Sequence, residues 1–494
     1  MRQRLPAVAA VAALIAGACA QPPRRLRDKV GILLPSDVRS LDPNAIVEQA
    51  TDAVLVNVFE PLVGLDENLR PEPVLAESWE QASAERWRFR LRRGLRFHDG
   101  TPLTAGLARE ALLAVQRDQR LEASQFLSFV REIAAPDDLT LDIVTSEPRA
   151  ILASLPFVYV AKASPPGAFP PWQGTGPYRI RRWEPGVGVE LESWVGHRGP
   201  QPAVREAVFG PAPQSGDSLA SLSDGSADIV YNLDAERATA PPAGIRILRR
   251  PGLTVFYLAF DVRPRPGNPF HDLRVRRALH LALDREQLVQ QAYKGMAAVA
   301  SQPVAPLVFG FNPQLSAPRR DTQAARRLLA EAGYARGFGT RLDISSARLS
   351  LARLIRSQWH EVGVNLALNG LPAEEVDRVA AAGQSPIYFL GWDCSTGESS
   401  EAYEFLLHTP SERYGRGNYG GYSNPALDQI AETNAAILEP MQRRRALEQA
   451  AALVMADVPI LPLVVSEAIY AVREGVRFRP RADNQVRLTA ISFE

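Results

Sequence analysis

Two hydrophobic periods alternate along this chain. WRFRLRRGLRF, Trp87 to Phe97, puts Trp87, Phe89 and Leu91 at every second position with Arg88, Arg90 and Arg92 between them. That period of two predicts a half-buried strand with its arginines in water. TAGLAREALLAV, Thr104 to Val115, changes the period, so that Leu107, Ala111, Leu112 and Val115 share one helical face behind Thr104 as cap. Between the two lies HDGTP, where Asp99-Gly100 is a turn signal, because glycine accepts positive φ and aspartate bonds to nearby backbone.

The same grammar continues. GTGPYRIRRW, Gly174 to Trp183, predicts a glycine-led strand with Tyr178 and Ile180 on one face, while VLVNVFEPLVGL (Val54 to Leu65) and GLTVFYLAFDV (Gly252 to Val262) are apolar enough to be buried. From Phe270 to Gly295, Val275, Leu279 and Ala282 mark one helix and Asp284 caps a second that Gly295 ends. Asp321 to Tyr334 repeats the pattern of cap, apolar face (Ala325, Leu328, Leu329, Ala332) and Gly333 stop. IYFLGW, Ile387 to Trp392, reads as a buried strand ending at a polar loop, and Arg443 to Val472 as helix, turn and strand. Strands interleaved with helices predict an α/β body with mixed sheets.

The chain has 494 residues, too many for one ordinary core, so two or more lobes are expected. Lys and Arg total 56 against 55 Asp and Glu, so no net field draws the body to nucleic acid. The first segment differs: Arg2 and Arg4 precede an apolar run from Ala7 to Ala18, the layout of a secretory signal peptide. Residues 1–19 are therefore read as signal peptide and 20–27 as linker. Ala16, Gly17, Ala18 and Cys19 resemble a lipobox with Cys19 as the lipidated residue, although Ala16 stands where a large aliphatic residue is usual, and ordinary cleavage after Ala18 or Ala20 competes. Either reading exports the body to the periplasm or cell envelope. The one other cysteine, Cys394, leaves no disulfide framework and no cysteine zinc site.

None of the six histidines pairs with another at metal-ligand spacing on a helix, so no metal or cofactor is expected. Gly415, Gly417 and Gly420 match G-x-G-x-x-G but lack the strand before and helix after that a dinucleotide site needs. His98-Asp99 as a catalytic dyad would need a partner the sequence does not show, and the turn already accounts for Asp99, Gly100 and Thr104.

RFHDGTPLTA, together with NVFEPLVGLD (Asn57 to Asp66), AESW (Ala76 to Trp79), GTGPY, DGSADI (Asp224 to Ile229), Asp272 to Val289, Gly391-Trp392, YSNPALD (Tyr422 to Asp428) and VPILPL (Val458 to Leu463), resembles the extracytoplasmic solute-binding proteins of ABC importers. The family is the one that includes dipeptide, oligopeptide and nickel binders. The resemblance implies a two-lobed periplasmic-binding-protein fold, type II-like, with mixed sheets around a central ligand cleft. Lobe I would span 28–255 with 470–494 returning to it, and lobe II 256–469, with hinge crossings near Phe256 to Val262 and Ser466 to Val472. It also implies a monomer that is not an enzyme, that takes a peptide or other small-molecule ligand and that delivers it to permease subunits. A lipid on Cys19 would hold it at the membrane.

Peptide binders of the family carry an aspartate three residues after the GW tryptophan, where it holds the peptide's α-amino group. Ser395 stands there, with Asp393 and Glu398 as the candidate replacements. The expected ligand-binding residues are therefore Trp392, Asp393, Ser395 and Glu398, then Tyr403, Tyr419 and Tyr422 for stacking, and Glu48 and Gln49 from the first lobe. Arg413 and Arg416 read as surface residues. A nickel chelate, sugar or opine remains the alternative ligand within the family, and a secreted hydrolase using His98 or His408 the alternative outside it.

Overall fold

The computed structural model describes residues 28–45, 48–213 and 218–494. The expected signal peptide, the Cys19 site and the 20–27 linker lie outside the described residues.

The arginine-alternating stretch forms strand Arg86–Leu91 with the pattern its sequence predicts: Trp87, Phe89 and Leu91 face inward and Arg88 and Arg90 outward. It sits in a four-stranded antiparallel sheet with Ala76–Ser83, Thr140–Thr145 and Val130–Asp137. Arg86 and Arg88 converge on the buried Asp142 at 3.0 and 2.8 Å, so the only carboxylate on the inner part of Thr140–Thr145 is paired from its neighbour strand. Helix Ala105–Arg117, capped by Thr104 accepting from the Leu107 N–H, packs on this sheet. Its buried face is Ala105, Ala108, Leu112 and Val115; Leu107 and Ala111, expected at its centre, are half-buried. This sheet and helix form a core of their own within the N-terminal half.

Among the described residues the main sheet has eleven strands, ten in one path and Ala297–Val299 pairing with Ile460–Arg473 beside it. It runs from Tyr178–Glu184 through Gly188–Ser193, Glu206–Pro211, Lys29–Leu34 and Ile229–Val230 to the long antiparallel pair Ile460–Arg473 and Ile245–Phe260. Beyond that pair it continues through Ile387–Asp393 and Phe338–Ser345 to Val364–Leu371. The long pair therefore belongs to both halves. Tyr470 and Val472 lie in the core of the first, and Leu258, Phe260, Leu461 and Leu463 in that of the second.

Its ladder breaks register between Pro251 and Val255. Pro251 offers no N–H to a ladder, and a Cβ on Gly252 would stand 2.8 Å from the Ser466 carbonyl oxygen. The interruption thus falls a few residues ahead of the Phe256 to Val262 stretch, whose Leu258 and Phe260 are locked in the second core.

The HDG turn ties two segments together. Gly100 has φ 85°, and Asp99 accepts from the Thr101 N–H at 2.9 Å and from Lys162 Nζ at 2.6 Å. His98 turns the other way. Its N–H donates to the Gly174 carbonyl at 2.9 Å, and its buried Nε2 lies 3.0 Å from the Gly176 carbonyl, an acceptor that makes Nε2 the protonated nitrogen. Burial pushes the imidazole down to about 4, so the ring is neutral. No side-chain hydrogen bond among the described residues joins His98 to Asp99, and the pair works as a turn and an anchor.

Candidate functional site

Between the halves lies a cavity of about 1390 Å³, larger than the roughly 300–1,000 Å³ of ordinary small-ligand pockets. Strand Ile387–Asp393 delivers Trp392 and Asp393 to it, and the polar loop that follows contributes Ser395 and Glu398. From the other side come Glu48 and Gln49 at the start of helix Gln49–Leu55, and Asp52 one turn on. The two sides touch: Gln49 Nε2 donates to Asp393 Oδ2 at 3.0 Å, and the Ala150 N–H donates to the Ala435 carbonyl at 2.9 Å. The cleft is therefore bridged in this structure.

Among the described carboxylates that line it, Asp393 has a buried oxygen without a hydrogen-bond partner. Oδ2 accepts from Gln49 and from Thr254 Oγ1 at 3.2 Å, while the buried Oδ1 has no hydrogen-bond partner. Desolvation raises the group to about 6, with Asp483 adding to the shift and Thr254 and Gln49 opposing it. Glu398 is different: its Oε1 pairs with Arg443 at 2.5 Å, and burial raises its pKa against that guanidinium's pull. Of the two candidate replacements, Asp393 is the one with a buried oxygen that lacks a hydrogen-bond partner among the described residues.

Glu48 lines the cavity but spends its carboxylate on structure. It caps helix Gln49–Leu55 through the Ala50 and Thr51 N–H groups at 3.3 and 3.1 Å and accepts from Ser36 and Thr51 hydroxyls. The three tyrosines expected to stack on a ligand do not reach the cavity. Tyr403 is buried in the core with Leu407 and Leu447; the Tyr422 hydroxyl donates to Asp457 at 2.7 Å and that of Tyr419 to Asp377 at 3.2 Å. Tyr419 and Tyr422 anchor the glycine-rich loop.

The aromatic surface comes from Phe405 instead. It is 38% exposed and stacks on Trp392 with ring centroids 5.2 Å apart. Phe405 belongs to a five-residue π-helical turn, Tyr403–Leu407, closed by the His408 N–H donating to the Tyr403 carbonyl at 2.8 Å. The extra residue per turn breaks the helical period, so projecting AYEFLL on an α-helix misplaces it.

Two more features lay outside the expected set. Glu401 lines the cavity, accepts from Thr396 Oγ1 at 2.8 Å and is raised to about 7, chiefly by desolvation. Arg413 and Arg416, read as surface residues, are exposed, line the cavity and make no ion pair among the described residues. Arg149 joins them, its guanidinium 4.7 Å from the Phe129 ring. The cavity lining thus carries both charges, with Arg149 and Arg413 acting on Glu404 while Asp52 and Asp393 have no ion-pair partner among the described residues.

A mixed sheet shared by two halves, with a bridged cavity between them, defines a two-lobed solute-binding protein of the periplasmic class. The family described as bacterial extracellular solute-binding proteins, family 5 Middle, matches residues 70–413, and the chain belongs to it. Its role is that of an extracytoplasmic substrate-binding protein of the ABC-importer type. The chain is 27% identical over 465 residues to the glutathione-binding protein GsiB of Escherichia coli strain K12, covering 90% of each chain. In fold it is similar to the ABC transporter substrate-binding protein CtaP of Listeria monocytogenes, with TM-score 0.83, 19% identity and coverage of 94% of this chain and 99% of that one. It is also similar to DppA of Helicobacter pylori in complex with the peptide STSA, with TM-score 0.76, 19% identity and coverage of 94% and 98%.

Proposed function

We propose that the protein captures a short peptide or peptide-like solute outside the cytoplasmic membrane and hands it unaltered to the permease subunits of an ABC importer. The observation that carries this is Asp393, whose Oδ1 is buried in the cleft without a partner while Gln49 and Thr254 fix Oδ2. A primary ammonium supplies the charge and the hydrogen bond that this oxygen lacks. Arg413 and Arg416 then meet the ligand's carboxylate, and the stacked Trp392 and Phe405 its middle. The relatives named for glutathione and the peptide in the DppA structure support the ligand class.

The protein acts as a monomer, and a lipid on Cys19 keeps it near the permease. Capture works by population shift: the ligand binds the bridged state more tightly than the open one, and the segments around Pro251 and Glu467 absorb the rotation. Native mass spectrometry of protein purified from its own envelope tests the reading. Small peptide masses that disappear in Asp393→Ala are the expected result. A single non-peptide mass, or peptides retained regardless of Asp393, would overturn it.

A further inference from the structure

Around the free oxygen of Asp393 the cleft holds more negative charge than one ammonium can neutralise. Asp52, on helix Gln49–Leu55, lines the same cavity and receives hydrogen bonds from neutral side chains, the Tyr159 hydroxyl at 2.5 Å and Gln485. Desolvation raises it to about 6, the level of Asp393. Asp483 adds a charge felt by both, but Arg481 pairs with it at 2.6 Å. Arg487, the cation closest to Asp52 in effect, is held by Glu72 at 2.8 Å. Glu401 adds a further carboxylate that Asp393 repels. The two guanidiniums are therefore spent on Asp483 and Glu72, and Asp52 and Asp393 remain uncompensated.

Tyr231 supplies the independent sign that a ligand belongs here. The side chain is 2% exposed, its ring packs edge-on against Tyr470 at 5.5 Å, it lines the cavity, and its hydroxyl has no hydrogen-bond partner. Asp52, Asp393 and Asp483 all act on it electrostatically. A hydroxyl this buried is ordinarily hydrogen-bonded, and a donor on a bound ligand satisfies it.

We infer that Asp52, Asp393 and Tyr231 form a subsite for a dication, so that the preferred ligand begins with a basic residue bearing both an α-ammonium and a cationic side chain. This deepens the peptide-binding reading and rests on it. One cation neutralises Asp393, the second neutralises Asp52, and Tyr231 accepts a hydrogen bond from either. A ligand with a neutral first side chain leaves Asp52 buried, charged and unmatched, a penalty that discriminates by repulsion as well as by attraction.

Calorimetric titration of the full mature protein at neutral pH with Lys-Ala-Ala, Ala-Ala-Ala, glutathione and free lysine tests the subsite. Lys-Ala-Ala is expected to bind about tenfold or more tighter than Ala-Ala-Ala, and the ratio to fall below about threefold in Asp52→Asn and to shrink in Tyr231→Phe. Asparagine keeps the acceptor for Tyr159, and circular dichroism of both variants confirms the fold. Equal affinity for the two tripeptides, or a preference unchanged in both variants, overturns the subsite while leaving peptide capture standing. Tight binding of free lysine alone upholds the subsite and overturns the peptide reading. Binding of none of the four overturns both.

Discussion

At His98 one neutral ring holds the start of a strand that lies far along the chain. His98→Ala removes the donor to the Gly176 carbonyl and the edge-on contact with Trp194 at 4.9 Å. The expected cost is about 1–3 kcal/mol of unfolding free energy in urea titration, with ligand affinity unchanged because His98 does not line the cavity. A catalytic dyad would instead lose turnover with stability intact. Asp99 and Gly100 were legible from sequence because a turn's partners are local. The role of His98 was not, because its acceptor lies 78 residues away. Arg413 is exposed, as read, and also lines the cavity, because exposure to a cleft and exposure to bulk solvent leave the same trace in sequence. Arg413→Ala is expected to weaken peptides with a free C-terminal carboxylate about tenfold and C-terminally amidated ones much less, a contrast read by titration of the two series.

Among the elements, those with strong periods and local caps were read correctly in kind and nearly in extent. Strand Arg86–Leu91 and helix Thr322–Glu331 are examples; the latter is capped by Asp321 and stopped at Gly333 with φ 89°. What the period could not show is where an element departs from it. The π-helical turn Tyr403–Leu407 exposes Phe405 and buries Tyr403, reversing the aromatic assignment. The GTGPY glycines show the opposite case, a motif whose reason is a contact. A Cβ on Gly174 would fall 2.0 Å from the Val58 carbonyl oxygen, and one on Gly176 2.7 Å from the carbonyl oxygens of Asn57 and Val58. No side-chain rotation relieves a clash with backbone. Gly174→Ala is therefore expected to cost several kcal/mol, at the upper end of single-substitution effects, and to yield little soluble protein; near-normal melting would show that the Val58 segment can move.

At the scale of the whole molecule, the cleft carboxylates oppose the stability of the empty protein and serve the bound one, and pH separates the two. Asp52 and Asp393 are raised from 3.8 to about 6 and Glu401 from 4.5 to about 7. Below about 4 these groups are protonated in folded and unfolded chains alike. As pH rises from there to about 7 the unfolded chain releases its protons first, so the empty protein loses stability across that window. Glu60, lowered to about 2 by His197 and Arg198 against desolvation, acts the other way, and its contribution is lost only as pH falls through the range below 4.5. His98, depressed to about 4 from 6.5, also loses stability as pH falls. The two effects overlap in a single melting curve, so the informative quantity is the difference between wild type and Asp393→Asn, in which the groups that Asp393 does not act on cancel and the relief of Glu401 adds to the effect. That difference in melting temperature is expected to grow in favour of the variant between pH 4.5 and 7.5 without ligand. With an ammonium-bearing peptide its sign reverses, because the ionised carboxylate now has its partner, and affinity rises with pH over the same interval. Parallel melting of the two proteins across the range, with and without peptide, would remove Asp393 from the ligand's ammonium.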